Sequence, residues 1–186
     1  MARRKESASQ TAGPYVHIGC LPNLAGLSGV YPADLGAAPF PADAPGERIT
    51  LTGRILDGTG HALRDAMIET WQADGAGRYG PGAQGFARFA CDGDSGLWSL
   101  DTIRPGAVGR MAPHVTVWIV ARGINIGLHT RIYFPEDEDA HANDPWLARI
   151  EHRHRIPTLI ATADGPGRYR FDIRLQGENE TIFFDV

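Results

Sequence analysis

The chain has 186 residues and a formal net charge of −4, and 42% of its residues are hydrophobic. This length and hydrophobic content fit one globular domain, and the acidic pI of about 5.9 excludes the basic footprint of a nucleic-acid-binding protein. No apolar run approaches the ~18 residues of a membrane span, so we expect neither a nucleic acid nor a membrane as a partner.

The first fifteen residues are basic but lack the apolar stretch of a secretory signal. The two cysteines, Cys20 and Cys91, do not have the spacing of a CxxC motif. We therefore expect reduced thiols and a cytoplasmic location.

The predicted elements begin after an irregular amino-terminal region. Residues 1–48 are rich in Pro and Gly and show no sustained helical or strand period, so we expect an arm with short turns. From residue 49 onward, apolar and polar residues alternate between turn signals, which is typical of short strands. We predict strands at ITLTGRIL (49–56), AMIETWQ (66–72), FARFA (86–90), LWSLDTI (97–103), HVTVWIVA (114–121) and HTRIYF (129–134).

The rest of the chain predicts one helix and one more strand pair. Asp144 offers an N-cap side chain and Pro145 suits a first helical turn, so we predict a short helix near 144–154. The segments RYRFDIRL (168–175) and ETIFFDV (180–186) are expected to pair through a hairpin turn at 176–179. Seven or more short strands at regular spacing predict an all-β, two-sheet β-sandwich over residues 49–186, in a single domain overall.

Two positions near the middle of the chain invite a comparison with metal sites. His114 and Thr116 share one face of their predicted strand, where a His-x-His pair would direct two imidazoles at one ion. Thr is a poor ligand for iron or zinc, and a lone strand histidine is more often a hydrogen-bonded core residue. Tyr79, which ends the GAGRY turn, is either a packing residue or a phenolate ligand for a ferric ion.

A second candidate group lies on the strand at 129–134. Alternation places His129, Arg131 and Tyr133 on one face. The planar guanidinium of Arg131 suits either a structural ion pair or recognition of a carboxylate or phenolate, and the pattern alone does not decide between them.

The segment from Leu51 to Tyr79 resembles the signature of the intradiol ring-cleavage dioxygenases. The resemblance continues through SGLWSLDTIRPG, APHVTV, ARGINIGLHTRIYF and RYRFDIRLQGENETIFFDV, and with the amino-terminal SQTAGPYVHIG it covers nearly the whole chain. Thr70 departs mildly, since a larger hydrophobic residue is usual there. The matching positions within the first segment are Leu51, Gly53, Ile55, Gly60, Leu63, Ile68, Glu69, Gly77 and Tyr79.

The resemblance implies a β-sandwich core and a non-haem ferric ion held by two tyrosinates and two histidines. Carried over to this chain, the first tyrosine falls on Tyr79 and the first histidine on His114. The second histidine position is Thr116, and the segment AVGRM at 107–111, where the second tyrosine is expected, holds none. Two ligands of four remain, so we expect vestigial positions and no metal bound by this chain.

Within the family, the chain is most similar to the alpha chains of heteromeric members. Such chains pair with a homologous beta subunit that carries Fe(III), in a heterodimer within a larger oligomer. They line its active site with an amino-terminal segment and one arginine, at positions that correspond here to Thr11, Gly13, Pro14, Tyr15 and Arg131. The implied reaction is cleavage of protocatechuate by O2 to 3-carboxy-cis,cis-muconate, with no activity expected for the chain alone.

Two other interpretations stay open at this point. A homomeric dioxygenase would need Tyr79 and His114 together with two unusual ligands, for which His129 and Tyr133 are the candidates. A β-sandwich that serves as a non-enzymatic binding module is the other possibility.

Overall fold

A computed structural model describes residues 10–13, 15–81 and 84–186. Over these ranges the chain is built mainly from short strands in two sheets. In chain order they are β1 (Arg48–Leu56), β2 (Met67–Gln72), β3 (Phe86–Ala90), β4 (Leu97–Ile103), β5 (His114–Val120), β6 (Leu128–Tyr133), β7 (Thr162–Ala163), β8 (Arg168–Arg170) and β9 (Ile173–Arg174).

The first sheet has the order β4-β1-β8-β7, and β9 pairs with the far end of β1. β1 is antiparallel to β4 but parallel to both β8 and β9. The second sheet has the order β3-β2-β5-β6 and is antiparallel throughout. The predicted all-β sandwich is therefore confirmed.

Strand alternation determines which side chains form the core between the sheets. Along β1 every second residue is buried, beginning at Ile49, and in β5 the core positions are Val115, Val117 and Ile119. Residues with period 2 on both inner faces are what a sandwich requires. The intervening residues of β5, including His114 and Thr116, consequently lie on the outer face of the second sheet.

One glycine of β1 is required by a close approach of the backbone. Between β8 and β9 the chain continues alongside β1, where the Phe171 amide donates to the carbonyl of Thr52 at 2.8 Å. A Cβ at Gly53 would lie 1.9 Å from the Phe171 carbonyl oxygen. Only glycine therefore permits this close approach.

A buried amide joins the two sheets. The Gln72 side chain, at the end of β2, donates through Nε2 to the Ile103 carbonyl at 2.8 Å. Its Oε1 accepts a hydrogen bond from the Thr102 hydroxyl, also at 2.8 Å. Because both ends of the amide are satisfied, its burial costs little.

The amino-terminal arm contains a helix that its pattern did not predict. α1 (Tyr15–Cys20) is followed by turns, and residues near 36–40 lie against β3, where the Arg88 amide donates to the Gly36 carbonyl at 3.1 Å. Six residues are too few for a helical hydrophobic period to become visible in a sequence.

The prediction of one short helix near 144–154 is wrong in detail. α2 (Glu138–His141) precedes this region, and two 3-10 turns, Leu147–Arg149 and Arg153–Leu159, occupy and extend it. The chain becomes extended at Ile150 between the two turns. Each turn buries one leucine. A longer helix would need a continuous apolar stripe to pack against the sheet, and this segment lacks one.

The predicted final strand at 180–186 is also wrong. Thr181 and Arg174 exchange two hydrogen bonds of 2.9 Å, so the turn closes as expected. The following residues then leave the first sheet, and the Phe184 amide donates to the His129 carbonyl of β6 at 2.8 Å. The chain crosses from one sheet to the other instead of extending the hairpin.

Both cysteines are free. Cys91 is buried, and this burial raises the pKa of its thiol to about 12. In the described part of the chain, none of the helices has the length and apolar character needed to cross a bilayer.

Candidate functional site

The candidate residues meet on the outer face of the second sheet. Cross-strand pairing places Thr116 between Trp71 of β2 and Arg131 of β6. One pair further along, His114 lies opposite Tyr133. The outer face, as we use the term, comprises Trp71, His114, Thr116, Arg131 and Tyr133.

His114 is buried and held in one orientation. It is 3% exposed, and its Nδ1 lies 2.7 Å from the Ala112 carbonyl oxygen. A carbonyl only accepts, so Nδ1 carries the proton and Nε2 the lone pair. Burial, and secondly the positive charge of Arg131, lowers the pKa of His114 to about 4, which leaves the ring neutral at physiological pH.

Tyr133 lies between two histidine rings. It is fully buried, with ring centroids 5.7 Å from His114 and 5.6 Å from His141. Burial raises the pKa of its phenol to about 12, so the hydroxyl stays protonated. The Nε2 atom of His141 is buried and has no hydrogen-bond partner among the described residues.

Arg131 is a buried cation on an aromatic surface. It is 8% exposed, and its Cζ lies 4.0 Å from the centroid of the Trp146 ring. Its Nη1 has two long contacts, to the Tyr133 hydroxyl at 3.5 Å and the Met111 sulfur at 3.7 Å. Within the described ranges, Arg131 takes part in none of the ion pairs.

The contacts of Arg131 within the chain offset only part of the cost of burying its charge, so a bound anion would stabilise it. Desolvation of a buried ion costs several kcal/mol, whereas a cation–π contact returns only about 0.5–2 kcal/mol. The long contacts to Tyr133 and Met111 add little. Among the described residues the guanidinium therefore lacks a direct ion-pair partner.

A buried carboxylate organises the segment that covers Arg131. Asp144 is fully buried, and its Oδ1 accepts from the amides of Trp146 at 2.7 Å and Leu147 at 3.1 Å. Its Oδ2 accepts from the Ala112 amide at 2.8 Å. One side chain thus fixes the turn that carries Trp146 relative to the strand that carries His114.

Tyr79 lies on the other side of Thr116. It is 42% exposed and stacks on Trp71, with ring centroids 6.3 Å apart and planes inclined by 17°. Thr116 is therefore flanked by two aromatic assemblies, one of Trp71 with Tyr79 and one of Trp146 with Arg131.

These residues do not fit a ferric ion. Of the four ligand positions that the resemblance implies, only Tyr79 and His114 carry a side chain that can bind iron. Thr116, which the resemblance compares with the second histidine position, has Arg131 as its cross-strand neighbour. The same positive charge that lowers the pKa of His114 would oppose a trivalent cation at its Nε2.

The alternative ligand pair is too widely spaced to complete an iron site. His129 and Tyr133 are four residues apart on β6, which corresponds to roughly 13 Å along a strand. His129 instead stacks on Trp118, with ring centroids 5.1 Å apart.

Of the predicted amino-terminal lining residues, Thr11 lies at the other end of β5. The Thr11 hydroxyl accepts from the Gly123 amide at 2.8 Å and donates to the Ala121 carbonyl at 3.4 Å. Ala121 is five residues along the chain from Thr116, roughly 17 Å for extended chain, so the arm does not join Arg131 in one pocket of this chain. Gly13 precedes α1, Tyr15 begins it and is 82% exposed, and Pro14 lies outside the described residues.

Sequence reasoning missed Trp146 and Met111, which contact Arg131. Asp144 was recognised as a cap, and that signal could have pointed to the following tryptophan as a fixed side chain. Nothing in the spacing of Arg131 and Trp146 indicates that they stack, because the contact arises when the segment after β6 folds back over the sheet.

Comparisons with known proteins agree with this architecture. A family model described as "Dioxygenase" matches residues 33–177. The protocatechuate 3,4-dioxygenase alpha chain of Pseudomonas putida is 46% identical over an alignment that covers 97% of this chain and 96% of that protein.

The chain belongs to the intradiol dioxygenase family.

Membership of this family implies non-haem iron chemistry. The protocatechuate 3,4-dioxygenase beta chain of Burkholderia cepacia is also similar, at 32% identity over 73% of this chain and 67% of that protein. Among solved intradiol-type folds, the dioxygenase domain of a carbohydrate-binding fusion protein from Streptomyces sp. SirexAA-E superposes with a TM-score of 0.59. It is 26% identical and covers 75% of this chain and 86% of that chain.

Proposed function

We propose that this chain is the alpha subunit of a protocatechuate 3,4-dioxygenase. The observation that carries the proposal is the outer face itself, where two of the four ligand positions that the resemblance implies remain and an arginine without an ion pair among the described residues lies beside them. A chain with this face is suited to recognise an anion and not to hold iron. The relative at 46% identity, which is named an alpha chain, supports the same conclusion.

The iron of the assembly belongs, on this proposal, to a homologous beta subunit. Similarity to a beta chain at 32% identity supports two related chains that form a heteromer. The assembled enzyme cleaves the ring of protocatechuate between its two hydroxyl-bearing carbons and adds both atoms of O2, giving 3-carboxy-cis,cis-muconate. The contribution of this chain is shape, charge and exclusion of water at the partner's site.

Two separate parts of the chain are proposed to line that site. Arg131 offers its guanidinium to an anion, either the carboxylate of the substrate or a tyrosinate beside the iron. The arm offers Thr11, Gly13, Pro14 and Tyr15, of which Tyr15 presents an exposed aromatic ring. Because Thr11 and Arg131 lie apart on this chain, they would approach the partner's site from different directions.

We also propose a cytoplasmic location. The two cysteines are free, which is usual in a reducing compartment.

The decisive experiment measures iron content and the visible spectrum in two preparations. One is this chain expressed alone, and the other is the chain coexpressed with a beta-type subunit. We expect a colourless, iron-free and inactive chain alone, and a coloured complex that cleaves protocatechuate. A chain that holds about one iron per molecule and cleaves the substrate by itself would refute the proposal in favour of a homomeric enzyme. A complex with no activity on any catechol would favour a binding module.

A further inference from the structure

We infer that Trp146 is a positioning residue that sets the orientation of the Arg131 guanidinium toward its anion. The inference rests on the proposed function, because it concerns how Arg131 performs the role assigned to it there. It adds a residue that neither the sequence pattern nor the family resemblance indicated.

First, Trp146 is the aromatic ring over which the Arg131 guanidinium lies. The Cζ of Arg131 lies 4.0 Å from the ring centroid of Trp146, which is close stacking for a cation on an indole. The contacts to Tyr133 and Met111, at 3.5 and 3.7 Å, are too long to impose a direction. Without the indole, the arginine head group could rotate about its last side-chain bonds.

The second step concerns what stacking leaves available. A guanidinium that lies flat on a ring keeps its N–H donors in the plane of the group, pointing away from the ring edge. These donors form a fork that matches a carboxylate or a phenolate oxygen. Because Cζ of Arg131 lies 4.0 Å over the indole centroid, we infer that Trp146 covers the face of the cation, which cannot form hydrogen bonds, and leaves free the edge that can.

The third step is that Trp146 is itself held in place. Its amide donates to the buried Asp144 carboxylate at 2.7 Å, and the Phe184 ring meets it edge-on with centroids 5.4 Å apart. Phe184 is in turn bonded through its amide to the His129 carbonyl at 2.8 Å. The indole is therefore tied both to the turn after α2 and to the edge strand that carries Arg131.

Arg149 does not take over this role. Its Cζ lies 6.0 Å from the same ring, at the outer limit of a cation–π contact, and the residue is exposed. A substitution at Trp146 therefore acts mainly through Arg131.

The experiment uses the coexpressed, iron-loaded complex with four variants: Arg131→Ala, Trp146→Leu, Trp146→Phe and Trp118→Leu. Steady-state KM and kcat are measured for protocatechuate and for catechol, which lacks the carboxylate. Trp118 is the matched control, since it is another outer-surface tryptophan of the second sheet but stacks on His129. Iron content and thermal midpoint confirm that each complex is assembled.

We expect Trp146→Leu to lower kcat/KM for protocatechuate in the same way as Arg131→Ala, but by a smaller factor. If Arg131→Ala lowers kcat/KM for protocatechuate by about a hundredfold, as loss of a charge-assisted pair predicts, Trp146→Leu lowers it by about fivefold to tenfold. The division between KM and kcat, and the ratio of protocatechuate to catechol, should shift in the same direction in both variants. Trp146→Phe, which retains a ring, should lose about threefold or less, and Trp118→Leu should stay within about twofold.

The outcomes separate this inference from the proposed function. Normal kinetics in Trp146→Leu together with impaired kinetics in Arg131→Ala would overturn the inference and leave the function intact. Normal kinetics in both variants would show that Arg131 does not contribute to the active site, which contradicts the role that the proposed function gives it. Equal losses in Trp146→Phe and Trp146→Leu would show that the site needs the size of the indole and not a π-face, which also overturns the inference. If the leucine variant fails to assemble, Trp146→Met replaces it as the variant without a ring, and normal kinetics in that variant would contradict the inference.

Discussion

The imidazole of His114 and the phenol of Tyr133 face each other across β5 and β6, with ring centroids 5.7 Å apart. Both groups are neutral at physiological pH, since burial lowers the pKa of the first to about 4 and raises that of the second to about 12. Arg131 thus carries the positive charge of this part of the outer face, and the buried Asp144 carboxylate acts on both rings from the covering segment. The position that the resemblance compares with an iron ligand is, in this chain, a buried neutral imidazole.

The buried His114 predicts a loss of stability in mild acid. Its pKa is about 4 in the folded chain and about 6.5 when unfolded, so below pH 6.5 the unfolded state binds the proton more strongly. Stability is complete above pH 6.5 and falls as the pH drops from 6.5 toward 4. Between pH 7 and pH 5, we expect a loss of about 2 kcal/mol in the free energy of urea unfolding.

The control for this prediction is His114→Gln, which keeps a donor for the Ala112 carbonyl but does not titrate. Its unfolding free energy should change much less over the same interval, because the carboxylates whose pKa values are lowered, Asp57, Asp74 and Asp92, titrate below pH 5. An identical pH slope in the variant and the parent protein would show that another group is responsible.

Asp144 should be among the buried positions at which a substitution reduces the stability of the chain most. Asp144→Ala leaves the buried Ala112 amide and the first amides of the following turn without their acceptor. We expect a loss of about 3 kcal/mol in the unfolding free energy. Asp94→Asn, at an exposed turn, is the control and should change stability by less than about 0.5 kcal/mol. Similar values for the two variants would contradict the role given to the carboxylate.

The close approach of the chain between β8 and β9 to β1 predicts a strict requirement for Gly53. In Gly53→Ala the new methyl group would meet the Phe171 carbonyl oxygen at 1.9 Å, so the two backbones must move apart. We expect a loss of about 3 kcal/mol or more by thermal or urea unfolding. Gly93→Ala, where a Cβ meets nothing within 4 Å, should be close to neutral. Tolerance of alanine at residue 53 would mean that the two backbones do not approach in solution as described.

The strands could be predicted from the sequence because each depends on its own alternating pattern. β1, β2, β4, β5 and β6 lie within one or two residues of their predicted positions. They could be predicted because in a half-buried strand apolar and polar residues alternate along the sequence. The shared face of His129, Arg131 and Tyr133 followed from the same rule. The resemblance to a family then supplied what no period contains, namely which positions to compare with iron ligands.

What the sequence could not provide are features that depend on long-range contacts. The residues at 182–184 are as hydrophobic as a strand, but after Thr181 they turn to the edge of the other sheet because His129 offers a free carbonyl there. The sequence after Asp144 has the signals of a helix start. The segment instead forms two 3-10 turns, because Leu147 and Leu159 are buried separately, one in each turn. The Arg131–Trp146 stack exists only once that segment lies over β6.

The parallel pairing of β1 has a consequence for how the chain is made. β1 ends at Leu56, but its parallel neighbours are β8 and β9, and the last of these ends at Arg174. At about 5–20 residues per second, a ribosome needs roughly 6–24 s to synthesise the residues between the end of β1 and the end of β9. During that interval one edge of a central strand stays open to any other extended chain nearby. In a cell that synthesises two related sandwich chains together, this delay favours mispairing between nascent chains, and a chaperone that covers β1 would raise the yield of correctly assembled heteromer.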